Sequence, residues 1–280
     1  ILYGAQQIRE TGFIYYQSWH HMLTVLWEQR CYRTCLKPEY TNAIALRVTS
    51  GSSMVQADLS HEVVAVDIED SIRMNADCMA SQVFIGADGQ LSSIDNLSKV
   101  INAGMRYSVP TLGVCAVGKD MERTDRFFKL ATRIIAEMGC QMVKTYNCEN
   151  FEEVVAACPV PIVVAGGKKL AEKDALTLAY DVISKGARGV DMGRNIFQSQ
   201  HPVEMAQAVH KVVHEGFTDK KHMNFTKILF INTMREEGAG CFGLPFFGKR
   251  MRNGYQNTGN GIARAYHAGA WIFLQSKKCV

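Results

Sequence analysis

Aspartate is missing from the first 57 residues of this 280-residue chain and again from 221–280. No apolar run approaches the ~20 residues that a membrane-spanning helix needs, and no segment has the three-part form of a secretory signal. The expectation is therefore a cytoplasmic protein with no membrane partner. A disulfide framework is not indicated either. The nine cysteines are scattered, and Cys115, Cys140 and Cys158 fall in or beside expected core elements, as reduced thiols do. Cys31 and Cys35, with His20 and His21 upstream, lack the second ligand pair of a structural zinc motif, so no metal is expected. What is present is ordinary for a folded enzyme: 47% hydrophobic and 21% charged residues, in a chain long enough for one large core.

The net charge of +4 is unevenly placed. Residues 219–280 carry ten Lys/Arg against three acids, an excess of +7, which leaves −3 for residues 1–218. The basic end has interspersed glycines and aromatics but no recognisable nucleic-acid module, so solvated surface is expected and no nucleic acid is assigned. The organisation expected is a body over 1–217, with 1–40 the least regular part, and an extension over 218–280.

From about 42 to 217, strand-like and helix-like segments alternate. Strands are expected over 44–49, 81–86, 110–117, 142–146, 161–165 and 190–193. Helices are expected over 94–103 with a stop at Gly104, 125–138 with a stop at Gly139, 151–157, 174–185 with a stop at Gly186, and 203–214. In the second helix Phe127, Phe128, Leu130, Ala131, Ile134, Ile135 and Met138 recur at helical spacing. In the fourth, Ala175, Leu178, Ala179 and Val182 do. This rhythm predicts a parallel sheet with helices outside. Six strands are visible where a closed barrel has eight, and 24–27 is a candidate for a seventh.

One cation interrupts this apolar pattern. Lys144 lies within Met-Val-Lys-Thr-Tyr at 142–146, near the C-terminal end of a strand. Burying an ammonium costs several kcal/mol unless it neutralises or finds a partner. A desolvated lysine near other cations gives up its proton and becomes a nucleophile able to form a Schiff base. The plainer alternative is a lysine that snorkels to solvent at the strand end. Two later segments weigh against that: Val-Val-Ala-Gly-Gly-Lys-Lys at 163–169 and Gly-Val-Asp-Met-Gly-Arg-Asn at 189–195. Each closes a strand at the face where barrels hold phosphate. Gly166, Gly167 and Gly193 would let backbone N–H groups approach an anion, with Lys168, Lys169 and Arg194 as countercharge. Lys168 or Lys169 is also a candidate for the cation that tunes Lys144, which would make Lys168 catalytic. Cys115 and Cys148 have no sequence-adjacent base, and buried thiols are the commoner case.

These same runs carry a family resemblance. Val-Lys-Thr-Tyr (143–146), Pro-Val-Pro-Ile-Val-Val-Ala-Gly-Gly-Lys-Lys-Leu (159–170) and Gly-Val-Asp-Met-Gly-Arg-Asn-Ile-Phe-Gln-Ser (189–199) resemble the class I aldolase family. So do Gln-Val-Phe-Ile-Gly (82–86), Val-Gly-Lys-Asp-Met (117–121) and Leu-Ala-Thr-Arg-Ile-Ile-Ala-Glu-Met-Gly (130–139). That family includes deoxyribose-phosphate aldolase and archaeal-type fructose-bisphosphate aldolase, and the runs are most similar to its autoinducer-2 phosphate thiolase branch. The resemblance covers about residues 42–217. It implies a (β/α)8 TIM barrel with a catalytic lysine on the sixth strand, matched here by Lys144. It also implies phosphate loops matched by Gly166, Gly167, Gly193 and Arg194. The implied reaction moves acetyl from 3-hydroxy-5-phosphonooxypentane-2,4-dione to coenzyme A, a co-substrate with no bound cofactor beside it, in a homo-oligomer.

The resemblance also has a gap. The family's first strand ends in an Asp-His pair facing the lysine, and the register of the match places that pair upstream of residue 1. Glu10, His20 and His21 are the nearest residues of suitable chemistry. Two other readings stay open beside the thiolase: a Schiff-base aldolase acting on a phosphorylated ketose, and a phosphosugar-binding protein without catalysis.

Overall fold

Short apolar strands buried on both faces, with amphipathic helices between them, are what the chain builds. In the computed structural model the described residues are 43–51, 57–117 and 122–215, together with the backbone of 25–28. The first elements are β1 (Val25–Glu28), β2 (Ala43–Arg47), β3 (Thr49–Ser50), β4 (Val63–Val64), α1 (Ile68–Arg73), β5 (Cys78–Val83), α2 (Gln90–Tyr107) and β6 (Thr111–Cys115). There follow α3 (Asp125–Glu137), β7 (Met142–Tyr146), α4 (Phe151–Ala157), β8 (Ile162–Ala165), α5 (Glu172–Ser184), β9 (Gly189–Asp191), α6 (Gly193–Phe197) and α7 (Pro202–Glu215). Seven strands form one sheet in the order β1-β2-β5-β6-β7-β8-β9, every pair parallel. β3 and β4 make a separate antiparallel ribbon.

The strand order never reverses, which separates this sheet from doubly wound folds, where it does. The two faces of the sheet bury different things. Val83, Cys115, Val143, Ile162, Val164 and Val190 face outward into the large core shared with α2, α3, α4, α5 and α7, whose bulkiest members are Phe128 and Phe151. The opposite parity holds Ala45, Cys78, Ala80, Leu112, Val114 and Val163, a second buried cluster with no helix residue in it. A sheet whose non-helical face is dry has to curl on itself. Seven of a barrel's eight strands are thus among the described residues, and the 24–27 candidate is β1, one residue along.

Gly113 is what lets α3 settle on this wall. A Cβ there would stand 2.1 Å from Cγ2 of Ile135, so a side chain would force the helix off the strand. α3 itself starts at Thr124, whose hydroxyl accepts from the Phe127 N–H, and stops at Gly139 with φ +108°.

Several expectations are corrected. Gly104 does not stop α2, which runs on to Tyr107 and ends at Ser108 in the left-handed region. Gly104 is needed because a Cβ would lie 2.4 Å from the Val109 carbonyl oxygen. The strand expected over 81–86 is Cys78–Val83: beyond Val83 the Phe84 and Gly86 N–H groups bond side chains of Ser93 and Gln90 rather than a neighbouring strand. Leu130 is exposed, because it sits ~200° round the helix from buried Phe128. In α5, Leu178 packs partly buried against the core as expected, and Leu176, which was not expected there, is buried beside it. Gly193 opens a helix instead of closing β9.

Candidate active site

Because alternate strands of a barrel contribute side chains to the same inner layer, the register shows what shares a layer with Lys144. Lys144 pairs with Val114 on β6 and Val163 on β8, and Val114 pairs with Gln82 on β5. Gln82 and Lys144 therefore lie at one level, two strands apart, beside Val114 and Val163 at the upper edge of the small apolar cluster. Arg47 on β2 and Asp191 on β9 have the same inward parity. The inner face is thus apolar at its base and charged at the C-terminal strand ends, where barrels do their chemistry.

Lys144 is buried, with its Nζ 2.7 Å from Asp191 Oδ2, and that carboxylate side chain is 1% exposed. Burial pushes the amine well below the ordinary lysine range, and the Arg47 guanidinium adds to the shift by repulsion. Asp191 works against both, since a carboxylate at that distance favours the ammonium form. Desolvation dominates for a group this deeply buried, so we assign Lys144 a lowered pKa. This is a nucleophilic amine with a proton acceptor beside it.

On the opposite wall, Arg47 Nη2 donates to both Glu62 Oε1 and Gln82 Oε1. Glu62 is buried just before β4, where its backbone oxygen accepts from Asn96 Nδ2 at 2.7 Å. The Gln82 N–H donates to Thr49 Oγ1 at 3.1 Å, tying β5 to the ribbon. Arg47 Nε is buried with no hydrogen-bond partner among the described residues.

The loops after β8 and β9 lock together. Arg194 Nη2 donates to the Gly167 carbonyl at 2.6 Å, Asn195 Nδ2 to the Gly166 carbonyl at 3.0 Å, and the Leu170 N–H to Asn195 Oδ1 at 2.7 Å. The two glycines do different jobs. The Gly166 N–H is taken by the Asp191 carbonyl at 2.6 Å, and a Cβ at Gly166 would come within 2.9 Å of Asn195 Nδ2. Gly167 has φ +66° and nothing within 4 Å of where a Cβ would be, so open space lies in front of it.

Gly166, Gly167, Gly193 and Arg194 are thus brought together in two adjoining loops, but the Gly166 N–H, expected to face an anion, is already taken by the Asp191 carbonyl. The two lysines after Gly167 are placed otherwise than the tuning role required. Lys168 is exposed, Lys169 donates to the Gln198 carbonyl, and the cation acting on Lys144 is Arg47. Cys115 is buried with its thiol pushed up to about 12 by desolvation, and Cys148 is also raised, so neither is a ready thiolate. Glu10, His20, His21, Cys31 and Cys35 lie outside the described residues. Among the described residues no group of three or more His, Cys, Asp or Glu side chains is placed to hold a metal, and no helix is long and apolar enough to cross a membrane.

Sequence reasoning missed Asp191, Arg47, Glu62 and Gln82. Asp191 carried the same signal as Lys144, a lone charge in an apolar strand. Arg47 did too, at the end of Ala-Ile-Ala-Leu-Arg. Glu62 gave none, because only the fold brings it to Arg47.

The chain was compared with known proteins. The family model described as DeoC/LacD family aldolase matches residues 25–199. An uncharacterized aldolase of Pasteurella multocida (strain Pm70) is 50% identical over 190 residues, 68% of this chain and 65% of that protein. A 3-hydroxy-5-phosphonooxypentane-2,4-dione thiolase of Yersinia pseudotuberculosis serotype O:1b (strain IP 31758) is 52% identical over 180 residues, 64% of this chain and 62% of that protein. The chain therefore spans a little under two thirds of the length of these relatives. An archaeal fructose-1,6-bisphosphate aldolase, solved with its catalytic lysine covalently bound to a carbinolamine intermediate, superposes with a TM-score of 0.64 at 19% identity. That match covers 75% of this chain and 82% of the other, and it supports the barrel fold. With a family match that spans β1 to α6 of this parallel sheet, the chain belongs to the DeoC/LacD family of aldolases.

Proposed function

We propose that this chain transfers an acetyl group from 3-hydroxy-5-phosphonooxypentane-2,4-dione to coenzyme A through an imine on Lys144, giving acetyl-CoA and dihydroxyacetone phosphate. The reading is carried by the buried Lys144 amine, lowered in pKa and 2.7 Å from Asp191 at the C-terminal end of the sheet. The thiolase-named relatives support this choice of substrate, and the reaction we propose is a step of autoinducer-2 breakdown. Lys144 adds to the C4 ketone, and loss of water leaves an iminium. The coenzyme A thiol loses its proton and adds to C2. The C2–C3 bond then breaks, its electron pair flows into the iminium as an enamine, and C2 departs as the acetyl thioester. Protonation at C3 and return of water release dihydroxyacetone phosphate and the free amine. Asp191, beside the amine, is the group we assign to these proton transfers.

The phosphate on C5 is one carbon from the imine, so its site has to lie close to Lys144. The interlocked loops carrying Gly166, Gly167, Gly193 and Arg194 meet that requirement, with Lys168 and Lys169 lending positive charge at the rim. The same electron sink serves an aldolase, which breaks the bond beside a hydroxyl instead of a thiol adduct, and the family description favours that as the second reading. Coenzyme A separates the two. Incubation of the diketone with and without coenzyme A, followed by detection of acetyl-CoA, decides between them: fructose 1,6-bisphosphate cleavage with no acetyl-CoA would replace the thiolase by the aldolase. Borohydride trapping locates the imine, and an adduct on any lysine but Lys144 removes the mechanism.

A further inference from the structure

Resting on that imine reading, we infer that Arg47 is a substrate-binding residue. Clamped by Glu62 and Gln82, it binds the oxygen of the acetyl carbonyl and stabilises the negative charge that oxygen develops when the thiol adds.

Arg47 has the inward parity of Lys144 and stands three strands away in the order β2-β5-β6-β7. Its side chain is 12% exposed and Glu62's is fully buried. Two acceptors, Oε1 of buried Glu62 and Oε1 of half-buried Gln82, converge on the single atom Nη2. Of the three N–H groups that remain, Nε–H is buried and without a partner among the described residues. A guanidinium presents its donors in one plane, so fixing Nη2 from two directions fixes where Nε–H points. An unmet donor in a buried position is a cost that a ligand oxygen removes. An oriented cation near a site of developing negative charge is the arrangement that stabilises an oxyanion.

The substrate's own dimensions assign the two walls. Its phosphate and C4 belong with the β8 and β9 loops and Lys144, so the acetyl end extends away from them. Arg47 stands on the wall the acetyl end would meet. The role is specific to an acyl-transfer reaction, since dihydroxyacetone phosphate has the same phosphate and the same ketone but no acetyl group.

That difference gives the experiment. The 280-residue chain is incubated without coenzyme A with either ketone, reduced with cyanoborohydride, and the concentration giving half-maximal Lys144 adduct is read by mass spectrometry. The wild type should favour the diketone. In Arg47→Gln/Glu62→Gln, which removes both charges of the pair together, the preference should fall tenfold or more. Any effect on the amine itself is common to both ketones and cancels in the ratio. Arg47→Lys keeps the charge without the fork and should fall in between. An unchanged ratio in the double variant, or no wild-type preference although both ketones are trapped, overturns the role of Arg47 and leaves the imine reading standing. No adduct with either ketone overturns the imine reading, and the role of Arg47 with it. Melting temperatures within a few degrees of wild type establish that the variants are folded.

Discussion

The two walls of the barrel mouth hold buried charge by different means. On the β7–β9 wall, a lysine and an aspartate from alternate strands meet directly, and each is a lone charge in its own strand. On the β2–β5 wall, an arginine is held by a glutamine two strand residues further up and by a glutamate from outside the sheet. The first pair is reactive because burial withholds charge from the amine. The second is fixed because arginine stays charged whatever its surroundings and so has to be clamped. One wall can exchange protons and the other can only attract electrons.

The sharpest break in that comparison is to remove the nucleophile. Lys144→Ala should abolish turnover, a loss of several orders of magnitude, because no neighbouring group forms an imine in its place. Steady-state assay and borohydride trapping together check this. Near-normal activity would remove Lys144 from the chemistry and make its wall as static as the other.

Asp191→Asn keeps the shape of the wall and removes the proton acceptor. A positioned acid-base group is worth about 10²–10⁴ in rate, so kcat should fall by that much while the imine still forms. Single-turnover trapping against kcat makes the test. Equal loss in both would mean that Asp191 only positions the amine.

How legible these walls were in the sequence differs for a physical reason. Lys144, Gly166, Gly167, Gly193 and Arg194 stand at strand ends and turns, where local sequence and barrel geometry together predict position. The six strands and their helices were visible for the same reason: short continuous apolar runs and period-3.6 patterns are local. The Lys144–Asp191 contact depends on register across β8, and the Arg47–Glu62 contact on a ribbon whose two strands were not foreseen. Gly104 misled because a glycine wanted for close packing looks, in sequence, like one wanted for a stop. Lys168 looked like the tuning cation because it is near Lys144's loops in sequence, whereas Arg47, almost a hundred positions earlier, is the one whose charge is felt.

A smaller effect is expected at the rim. Arg194→Ala should chiefly raise KM for a phosphorylated substrate, by about the 1.5–3 kcal/mol of a hydrogen bond to a charged group, or roughly 10- to 150-fold. In this structure the guanidinium donates to the Gly167 carbonyl, which uses one of an arginine's five donors. The dephosphorylated diketone should be a poor substrate for the wild type and no worse for the variant. A variant that loses equally on both substrates would show that Arg194 supports the loop instead of the phosphate.

The mildest test reads the reactive wall through stability. Lys144 has a lowered pKa in the folded protein, so between that value and its unfolded value of 10.5 the unfolded chain binds the extra proton. Stability must therefore rise with pH across this window, by at most about 1.4 kcal/mol per pH unit for one proton. Cys78, Cys115 and Cys140 act oppositely. Their raised thiol values contribute stability that is lost as pH climbs above about 9, so the comparison is made below that pH. Asp191 complicates the wild type by favouring the ammonium. The clean comparison is thus Asp191→Asn against Asp191→Asn/Lys144→Met, with urea unfolding at several pH values. The single variant should gain stability with pH relative to the double variant, whose buried methionine has nothing to titrate. Parallel lines would mean that Lys144 keeps its proton when its carboxylate partner is gone, and the amine would then not be a nucleophile near neutral pH.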